Sequence, residues 1–295
     1  MPPINGDIDV LELEKEISDL ESRLKNARAR LAAASDGTLC KVHSRPNPIH
    51  SLLLLSDSAL PLGSFAYSSG LESYLAHTKP LPPSTTLTAS FQSFLKLSIA
   101  SVASTSLPYL SAAYRYPEKL KRMDNDLDAA TSCVVAQRAS IAQGRALLGV
   151  WERAFRKTYA PQADSAAAIA AGEAIERFSE ALKSYNETAD ELGPKGHFAP
   201  LWGVVCLAMG VDAQQATYVF MVNQAKAILS AAVRASVLGP YQAQSILASQ
   251  SLQNTIAGRI RLAWNVDVER AGQIAPVLDL WVGRHELLYS RIFNS

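Results

Sequence analysis

The densest set of chemically active side chains is acidic and consists of Asp124, Asp126 and Asp128. Alternating carboxylates of this kind open the calcium loop of an EF-hand, which needs glycine at its sixth position and glutamate at its twelfth. Ala129 and Val135 occupy those positions, which excludes an EF-hand. The run is instead predicted to form the first turn of a helix, where negative charge complements the helix dipole. A helical Mg²⁺-dependent enzyme that uses the three aspartates stays open as an alternative.

Histidine and cysteine add few candidates for catalysis or metal binding. His285 and Glu286 could begin an H-E-x-x-H zinc motif, but Tyr289 stands where the second histidine is required. Residues 40–50 contain one cysteine and two histidines, so a soft-metal site there is conceivable, although a fourth ligand is lacking. The sequence has neither a G-x-x-x-x-G-K-[ST] phosphate loop nor a G-x-S-x-G nucleophile elbow. The sequence therefore offers no self-contained active site.

Residues 57–72 are richer in turn and aromatic residues than helix packing requires. Pro61 and Gly63 are typical of a tight turn, and Phe65 and Tyr67 follow in a short connection between helices. Small residues in such a connection allow another backbone to approach closely. The segment is therefore either a binding loop or a helix–helix corner whose aromatic side chains fill the core.

Gly144 is unusual because it lies inside the helical pattern of residues 137–147. Glycine in a helix interior costs about 1 kcal/mol relative to alanine, and it usually marks the close packing of a neighbouring helix. We therefore expect another helix to contact this position.

The last twelve residues, 284–295, keep large apolar side chains where most chain ends become polar. Tyr289, Ile292 and Phe293 are interleaved with arginines in this segment. The segment either docks on its own domain or binds a groove of a partner.

The elements that must position these segments are predicted to be helical. The chain has 295 residues and a net charge of +1, with 45 Ala and 37 Leu against 17 Val and 14 Ile. Alanine and leucine favour helices, whereas β-branched residues favour strands. Because nucleic-acid binders usually carry a basic excess, the balanced charge argues against that class. The composition predicts an all-α protein.

An N-terminal extension is predicted from a heptad pattern over residues 7–34. Its apolar residues recur from Val10 to Leu31 at alternating intervals of three and four, and acidic side chains precede basic ones. The helix either packs on its own domain or pairs with a second helix. A generic coiled-coil scaffold is the corresponding alternative function. Residues 35–48 are predicted to be a linker.

The predicted domains are therefore 1–47, a heptad helix with its linker, and 48–295, a single helical bundle of about ten helices. Helix patterns in the bundle cover residues 51–55, 68–76, 84–103, a stretch ending at 114, 124–155, 163–188, 197–209, 212–237, 241–264 and 269–283.

The three cysteines are far apart and form no C-x-x-C pair, which indicates a reducing compartment. No basic n-region followed by an apolar stretch is visible at the N-terminus. The longest nearly uncharged apolar run, 199–211, is shorter than a membrane span. We therefore expect a cytoplasmic protein that does not enter a membrane.

Four motifs in order resemble the urease accessory protein UreF family over residues 48–295. The strongest is D-S-A-L-P-x-G-x-F-x-x-S-x-G-L-E at residues 57–72. It is followed by G-H-F-A-P at 196–200, A-A-V-R leading to L-G at 231–239, and H-E-x-L-Y-S-R-x-F-x-S at 285–295. The heptad helix lies outside this resemblance.

The resemblance implies an all-helical, dimeric maturation factor and not an enzyme, with no catalytic residues, metal ligands or stably bound cofactor of its own. Such a protein binds UreD (also called UreH), recruits the GTPase UreG and modulates its GTP hydrolysis, so that the complex inserts nickel into apo-urease. The C-terminal segment would dock on UreD, while Lys195, Gly196 and His197 with Glu72 would meet UreG. The implied partner-binding residues are Leu60, Pro61, Gly63, Phe65, Tyr67, Gly70, Glu72, Arg138, Gly144, Lys195, Gly196, His197, Arg234, Arg284, His285, Glu286, Tyr289, Arg291, Ile292 and Phe293.

Overall fold

A computed structural model of the chain describes residues 10–39, 47–185 and 193–294, with side chains of the first range described from 15 to 29. The chain divides into two compact units, residues 1–44 and 45–295. The described residues form helices and connecting loops and contain no strand, so the predicted all-α fold is confirmed. None of the described helices is long and apolar enough to cross a lipid bilayer.

The described part of the first unit is one helix, α1 (Val10–Leu39). It confirms the predicted helix from residue 10 onward and continues through the first residues of the predicted linker. Its apolar seam is not covered within this unit, since Ile17, Leu20 and Leu24 are each more than half exposed. The proposed soft-metal site falls largely on residues 40–46, which lie outside the described residues, and His50 is exposed.

The second unit contains thirteen described α-helices, named here in chain order. They are α2 (Pro48–Ser56), α3 (Leu71–His77), α4 (Leu87–Thr105), α5 (Leu107–Arg115), α6 (Leu120–Ala130), α7 (Val134–Val150), α8 (Arg156–Tyr159), α9 (Ala166–Ser184), α10 (Phe198–Ala208), α11 (Ala213–Arg234), α12 (Pro240–Ala248), α13 (Gln250–Ala263) and α14 (Val277–Arg284). A π-helical turn, Trp151–Phe155, joins α7 to α8.

The core of this unit is built around α10, which packs against α5, α7, α9 and α11. Every residue of α10 except Leu207 is buried, as its uniformly apolar sequence predicts for a helix surrounded by others. Phe198 and Trp202 of α10 and Phe220 of α11 form an aromatic cluster with ring centroids 5.5–5.9 Å apart. This cluster fixes the position of the loop that precedes α10.

The predicted continuous helix over residues 124–155 is wrong. Helix α6 already begins at Leu120 and ends at Ala130, and α7 starts afresh at Val134. Thr131 closes α6 by donating its hydroxyl to the Leu127 carbonyl at 2.7 Å. A run of β-branched and small polar residues, which are weak helix formers, follows Ala130 and separates the two helices. The acidic run therefore lies in the middle of α6 and not in its first turn.

Side-chain caps account for most other differences from the predicted helix bounds. The helix predicted from residue 84 begins at Leu87, because Thr86 caps α4 by accepting a hydrogen bond from the Ala89 amide at 3.1 Å. The predicted helix over 241–264 is divided because Ser249 accepts the Leu252 amide at 3.2 Å and begins α13. The helix predicted from residue 269 begins later, at Val277.

Candidate functional site

The C-terminal segment, residues 285–294, is tied to the start of α3 by one carboxylate. Glu72 accepts hydrogen bonds from the backbone amides of Ile292 at 2.7 Å and Phe293 at 3.2 Å. Its second oxygen lies 2.8 Å from Nε2 of His285, whose side chain is completely buried. Because a carboxylate is a strong acceptor, this single residue fixes both ends of the segment.

Close packing of α3 against α14 brings Glu72 to this position. Gly70 caps α3 with φ of +82°, a conformation that favours glycine. A Cβ on Gly70 would lie 2.9 Å from Cγ2 of Val282 in α14. A larger residue at position 70 would separate the two helices, and with them Glu72 and His285.

The Nδ1 atom of His285 is buried and has no hydrogen-bond partner among the described residues.

Phe293 is the buried anchor of the C-terminal segment. Its side chain is 4% exposed, and the Arg234 guanidinium lies 4.4 Å from the centroid of its ring. Desolvation lowers the pKa of Arg234 from its ordinary value. The following amide, that of Asn294, donates to the Ala66 carbonyl at 2.8 Å. These contacts dock the segment on its own domain, one of the two arrangements left open by the sequence.

The same segment presents its remaining apolar side chains to solvent. Tyr289 is fully exposed, and Leu287 and Ile292 are 76% and 63% exposed. Phe65, in the loop that receives the segment, is 67% exposed. These four large apolar side chains are exposed on the docked segment and on the loop that receives it, and they are candidates for a protein-binding surface. We call these four residues the apolar rim.

Helix α7 flanks the segment and forms a cavity of about 580 Å³ with it. Arg138 of α7 pairs with Glu286, and both side chains are about half exposed. Arg291, Phe293 and Tyr67 line the opposite side. The cavity is open to solvent beside the apolar rim, so the region offers both a charged and an apolar part to a binding partner.

A second cluster on α6 and α7 holds the loop before α10. Asp124 is completely buried, and its carboxylate accepts the backbone amides of Lys195 at 2.6 Å, Gly196 at 3.1 Å and His197 at 2.6 Å. One helical turn later, Asp128 lies 2.9 Å from Nε2 of His197. The two carboxylates, spaced by four residues, therefore share one face of α6 and bind one loop.

Helix α7 closes this loop from the other side. Ser140 lies 3.1 Å from Nδ1 of His197 and accepts the Phe198 amide at 3.2 Å. Gly144 packs directly on the loop backbone, because an added Cβ would overlap the Gly196 carbonyl oxygen and lie 2.6 Å from the His197 carbonyl carbon. The sequence predicted the close approach of another helix at Gly144, and the atoms nearest the added Cβ belong to this loop and to the amide of Phe198, the first residue of α10.

Replacing Gly144 with alanine is expected to destabilise the protein by about 2 kcal/mol, because the new methyl group meets rigid backbone. Gly149 provides a matched control on the same helix, since a Cβ there has no atom within 4 Å. Gly149→Ala is expected to stabilise the protein by about 0.5–1 kcal/mol through helix propensity. Chemical denaturation followed by circular dichroism measures both values. Equal effects at the two positions would contradict the packing described for Gly144.

The three aspartates of the proposed Mg²⁺ site have separate partners. Asp124 binds backbone amides, Asp128 binds His197, and Asp126 pairs with Arg122 at 3.3 Å. Among the described residues, no group of three or more histidine, cysteine, aspartate or glutamate side chains could hold a metal ion. The arrangement gives no support to the metal-enzyme alternative. Sequence reasoning missed the structural role of Asp124 and Asp128, although their spacing of four placed them on one helix face.

The predicted site residues differ in whether a partner can reach them. Six are buried in this chain and hold the site from within: Gly70, Gly144, Gly196, His197, His285 and Phe293. Five are half-buried: Leu60, Gly63, Tyr67, Glu72 and Lys195. Nine are exposed: Pro61, Phe65, Arg138, Arg234, Arg284, Glu286, Tyr289, Arg291 and Ile292. Phe293 is therefore an internal anchor rather than a free docking residue.

The structure also divides the residues assigned to a UreG-binding face. Glu72 binds the C-terminal segment, whereas Lys195, Gly196 and His197 lie on the loop held by Asp124. Arg145 reinforces that loop by donating from Nε to the Lys195 carbonyl at 2.8 Å. Since Gly196 and His197 have no accessible side-chain surface, they act on the shape of the loop. Whether the loop meets a partner stays a prediction.

The fold and these two clusters define an all-helical protein that presents a docked apolar chain end. A family model described as UreF matches residues 86–251. A Schizosaccharomyces pombe protein named uncharacterized urease accessory protein UreF-like is 38% identical over 246 residues, which cover 83% of this chain and 97% of the relative. The chain belongs to the UreF family, as its motifs predicted.

Other relatives come from plants and bacteria. Urease accessory protein F of Oryza sativa subsp. indica is 29% identical over 245 residues, covering 81% of this chain and 82% of the relative. Urease accessory protein UreF of Paenarthrobacter aurescens is 24% identical over 245 residues, which cover 83% of this chain and 97% of the relative. The similarity therefore extends across most of the length of relatives from distant organisms.

Proposed function

We propose that this protein is a non-catalytic accessory factor in urease maturation. Membership of the UreF family supports this role, because the curated relatives are named urease accessory proteins. The observation that carries the proposal to this chain is the apolar rim, held in place by Glu72 and Phe293. A surface of this kind serves binding, and Nε2 of the buried His285 beside it is held by Glu72.

The apolar rim and the docked segment form the surface that binds UreD. Exposed Tyr289 and Ile292 provide aromatic and aliphatic contact area, and aromatic residues and arginine are the usual interface hot spots. Arg284 and Arg291 are exposed on the same segment and add charged contacts. Because Glu72 preorganises the segment, binding does not have to order it, which favours affinity.

UreG is recruited through the UreD-bound protein, and the loop of residues 195–197, in which Lys195 is the partly exposed residue, is assigned to it. Nickel is the cargo of the complex, delivered to apo-urease, while GTP hydrolysis takes place on UreG and is modulated by this protein. The protein acts in the cytoplasm as a homodimer. Co-purification with UreG, read with and without GTP and nickel, tests recruitment separately from UreD binding.

The double variant Tyr289→Asp/Ile292→Asp is expected to weaken UreD binding at least tenfold, since it places charge in the centre of an apolar interface. Its stability should change by less than about 0.5 kcal/mol, because both side chains are exposed. Binding is measured by pull-down and titration calorimetry with purified UreD, and stability by urea unfolding.

Leu262→Asp is the matched control, since Leu262 is 71% exposed on α13. It should leave UreD binding unchanged. Deletion of residues 284–295 should also abolish co-purification, but it removes the buried His285 and Phe293 as well, so the double variant is the sharper test. Full UreD binding by Tyr289→Asp/Ile292→Asp would overturn the assignment of the apolar rim.

A further inference from the structure

Within the first unit, no other described residue covers the apolar seam of α1. Ile17, Leu20 and Leu24 are 56%, 54% and 52% exposed. They belong to a heptad pattern in which Val10, Ile17, Leu24 and Leu31 are a positions, and Leu13, Leu20 and Ala27 are d positions. Such a seam is buried when a second helix packs against it. The charged residues beside the seam indicate which helix packs against it and in which direction that helix runs.

Charge is divided sharply along this helix. Residues 7–21 contain seven acidic side chains and one lysine, whereas residues 22–34 contain four basic side chains and no acidic one. In a parallel pair of identical helices each half would face its own copy. At the flanking g and e positions, Glu16 would then face Glu21 of the second copy. Arg23 would likewise face Arg28 of the second copy. Like charges at these positions disfavour a pairing.

An antiparallel pair reverses this relation. With Ile17 opposite Leu20 of the second copy, every a position from Val10 to Leu24 faces a d position. Glu16 then faces Arg23 of the second copy, and symmetry produces this pair twice. The same register brings Glu14 against Glu21 of the second copy, a like-charged match that symmetry also produces twice. Within α1 the antiparallel arrangement therefore has two opposite-charge and two like-charge pairs, whereas the parallel arrangement has only like-charge pairs at these positions.

We propose that α1 binds the α1 helix of a second copy of this chain in an antiparallel coiled coil, centred between residues 18 and 19. The seam supplies the buried apolar surface, and the divided charge selects the direction. Most of the stability of helices in proteins comes from packing of their apolar face, so pairing also stabilises the helix itself. This inference is independent of the proposed role in urease maturation.

Spin-label distance measurements on the full chain test the direction. Ser22→Cys and Ala29→Cys place the label at equivalent outer f positions, in a background with Cys40 and Cys133 replaced by serine. Cys206 is completely buried and stays unlabelled. In the antiparallel pair the two labels of a dimer are offset along the axis by about 10 Å at position 22 and about 32 Å at position 29. The distance is therefore expected to be clearly longer at position 29.

Equal distances at the two positions would establish a parallel pair and overturn the proposal. Absence of a defined distance between copies at high protein concentration would overturn it as well. A charge variant provides an independent readout by sedimentation equilibrium. Arg23→Glu should weaken the α1 pairing about tenfold, because two opposite-charge pairs become like-charged. In a parallel pair the same change would strengthen it.

Two further variants complete this test. Lys25→Glu, at an outer b position, changes the net charge by the same amount and should have little effect on pairing. The double variant Glu16→Arg/Arg23→Glu restores the opposite charges and should recover both the affinity and the long distance at position 29. Failure of this rescue would contradict the proposed register.

Discussion

Asp124→Ala is expected to lower the free energy of unfolding by about 4 kcal/mol, because three buried amides lose a charged acceptor. Those amides belong to Lys195, Gly196 and His197, and the carboxylate that binds them is completely buried. Chemical denaturation followed by circular dichroism measures the loss. Hydrogen exchange should increase first in the loop before α10, since its amides are the ones released.

Asp126→Ala is the matched control, two residues away on the same helix. Its carboxylate is 41% exposed and pairs with Arg122 at the surface, so its removal should cost less than about 1 kcal/mol. The pair of variants also tests the Mg²⁺ alternative, which predicts similar importance for both aspartates. A small effect of Asp124→Ala, equal to that of Asp126→Ala, would contradict the assigned role.

Glu72→Ala is expected to release residues 288–294 from the domain and to weaken UreD binding at least tenfold. The carboxylate holds the amides of Ile292 and Phe293 and the ring of His285, so its loss removes three contacts to one charged group. Partner affinity falls in proportion to the population of the docked, binding-competent segment. Hydrogen exchange of residues 288–294 measures the release, and titration with UreD measures the affinity.

Glu72→Gln retains one acceptor oxygen and should give intermediate exchange. Glu173→Ala removes an exposed carboxylate from α9 and should change neither measurement. If exchange of residues 288–294 is unchanged in Glu72→Ala, then burial of Phe293 beneath Arg234 is sufficient to hold the segment. If exchange increases while UreD binding is retained, the docked segment is not the UreD-binding surface.

The helical class could be predicted from the sequence because it depends on local properties. Alanine and leucine dominate, β-branched residues are few, and the apolar spacing follows helical periods along most of the chain. The predicted bounds failed where one side chain decided them. Thr131 ends α6 and Ser249 begins α13, each through a hydrogen bond of its side chain, although the helical apolar pattern continues past both positions. Such caps compete closely with continuation of the helix.

The candidate site could be predicted in part. The motif around residues 57–72, Gly144 and the apolar chain end were all visible as departures from ordinary helix composition. Their connections were not visible, because the partners are distant in the sequence. Glu72 binds residues more than two hundred positions later, and Asp124 binds a loop about seventy positions later. No local pattern identifies the partner of such a carboxylate.

The sequence by itself determined the helical fold, the segments that matter and the family they resemble, since each of these depends on residue type and short-range spacing. The tertiary structure alone decided which of those residues are internal supports and which are exposed. Phe293 is buried while Tyr289 and Ile292 are exposed, although all three are large apolar residues of one segment. Burial is a property of what packs around a residue, and that depends on contacts between segments far apart in the chain.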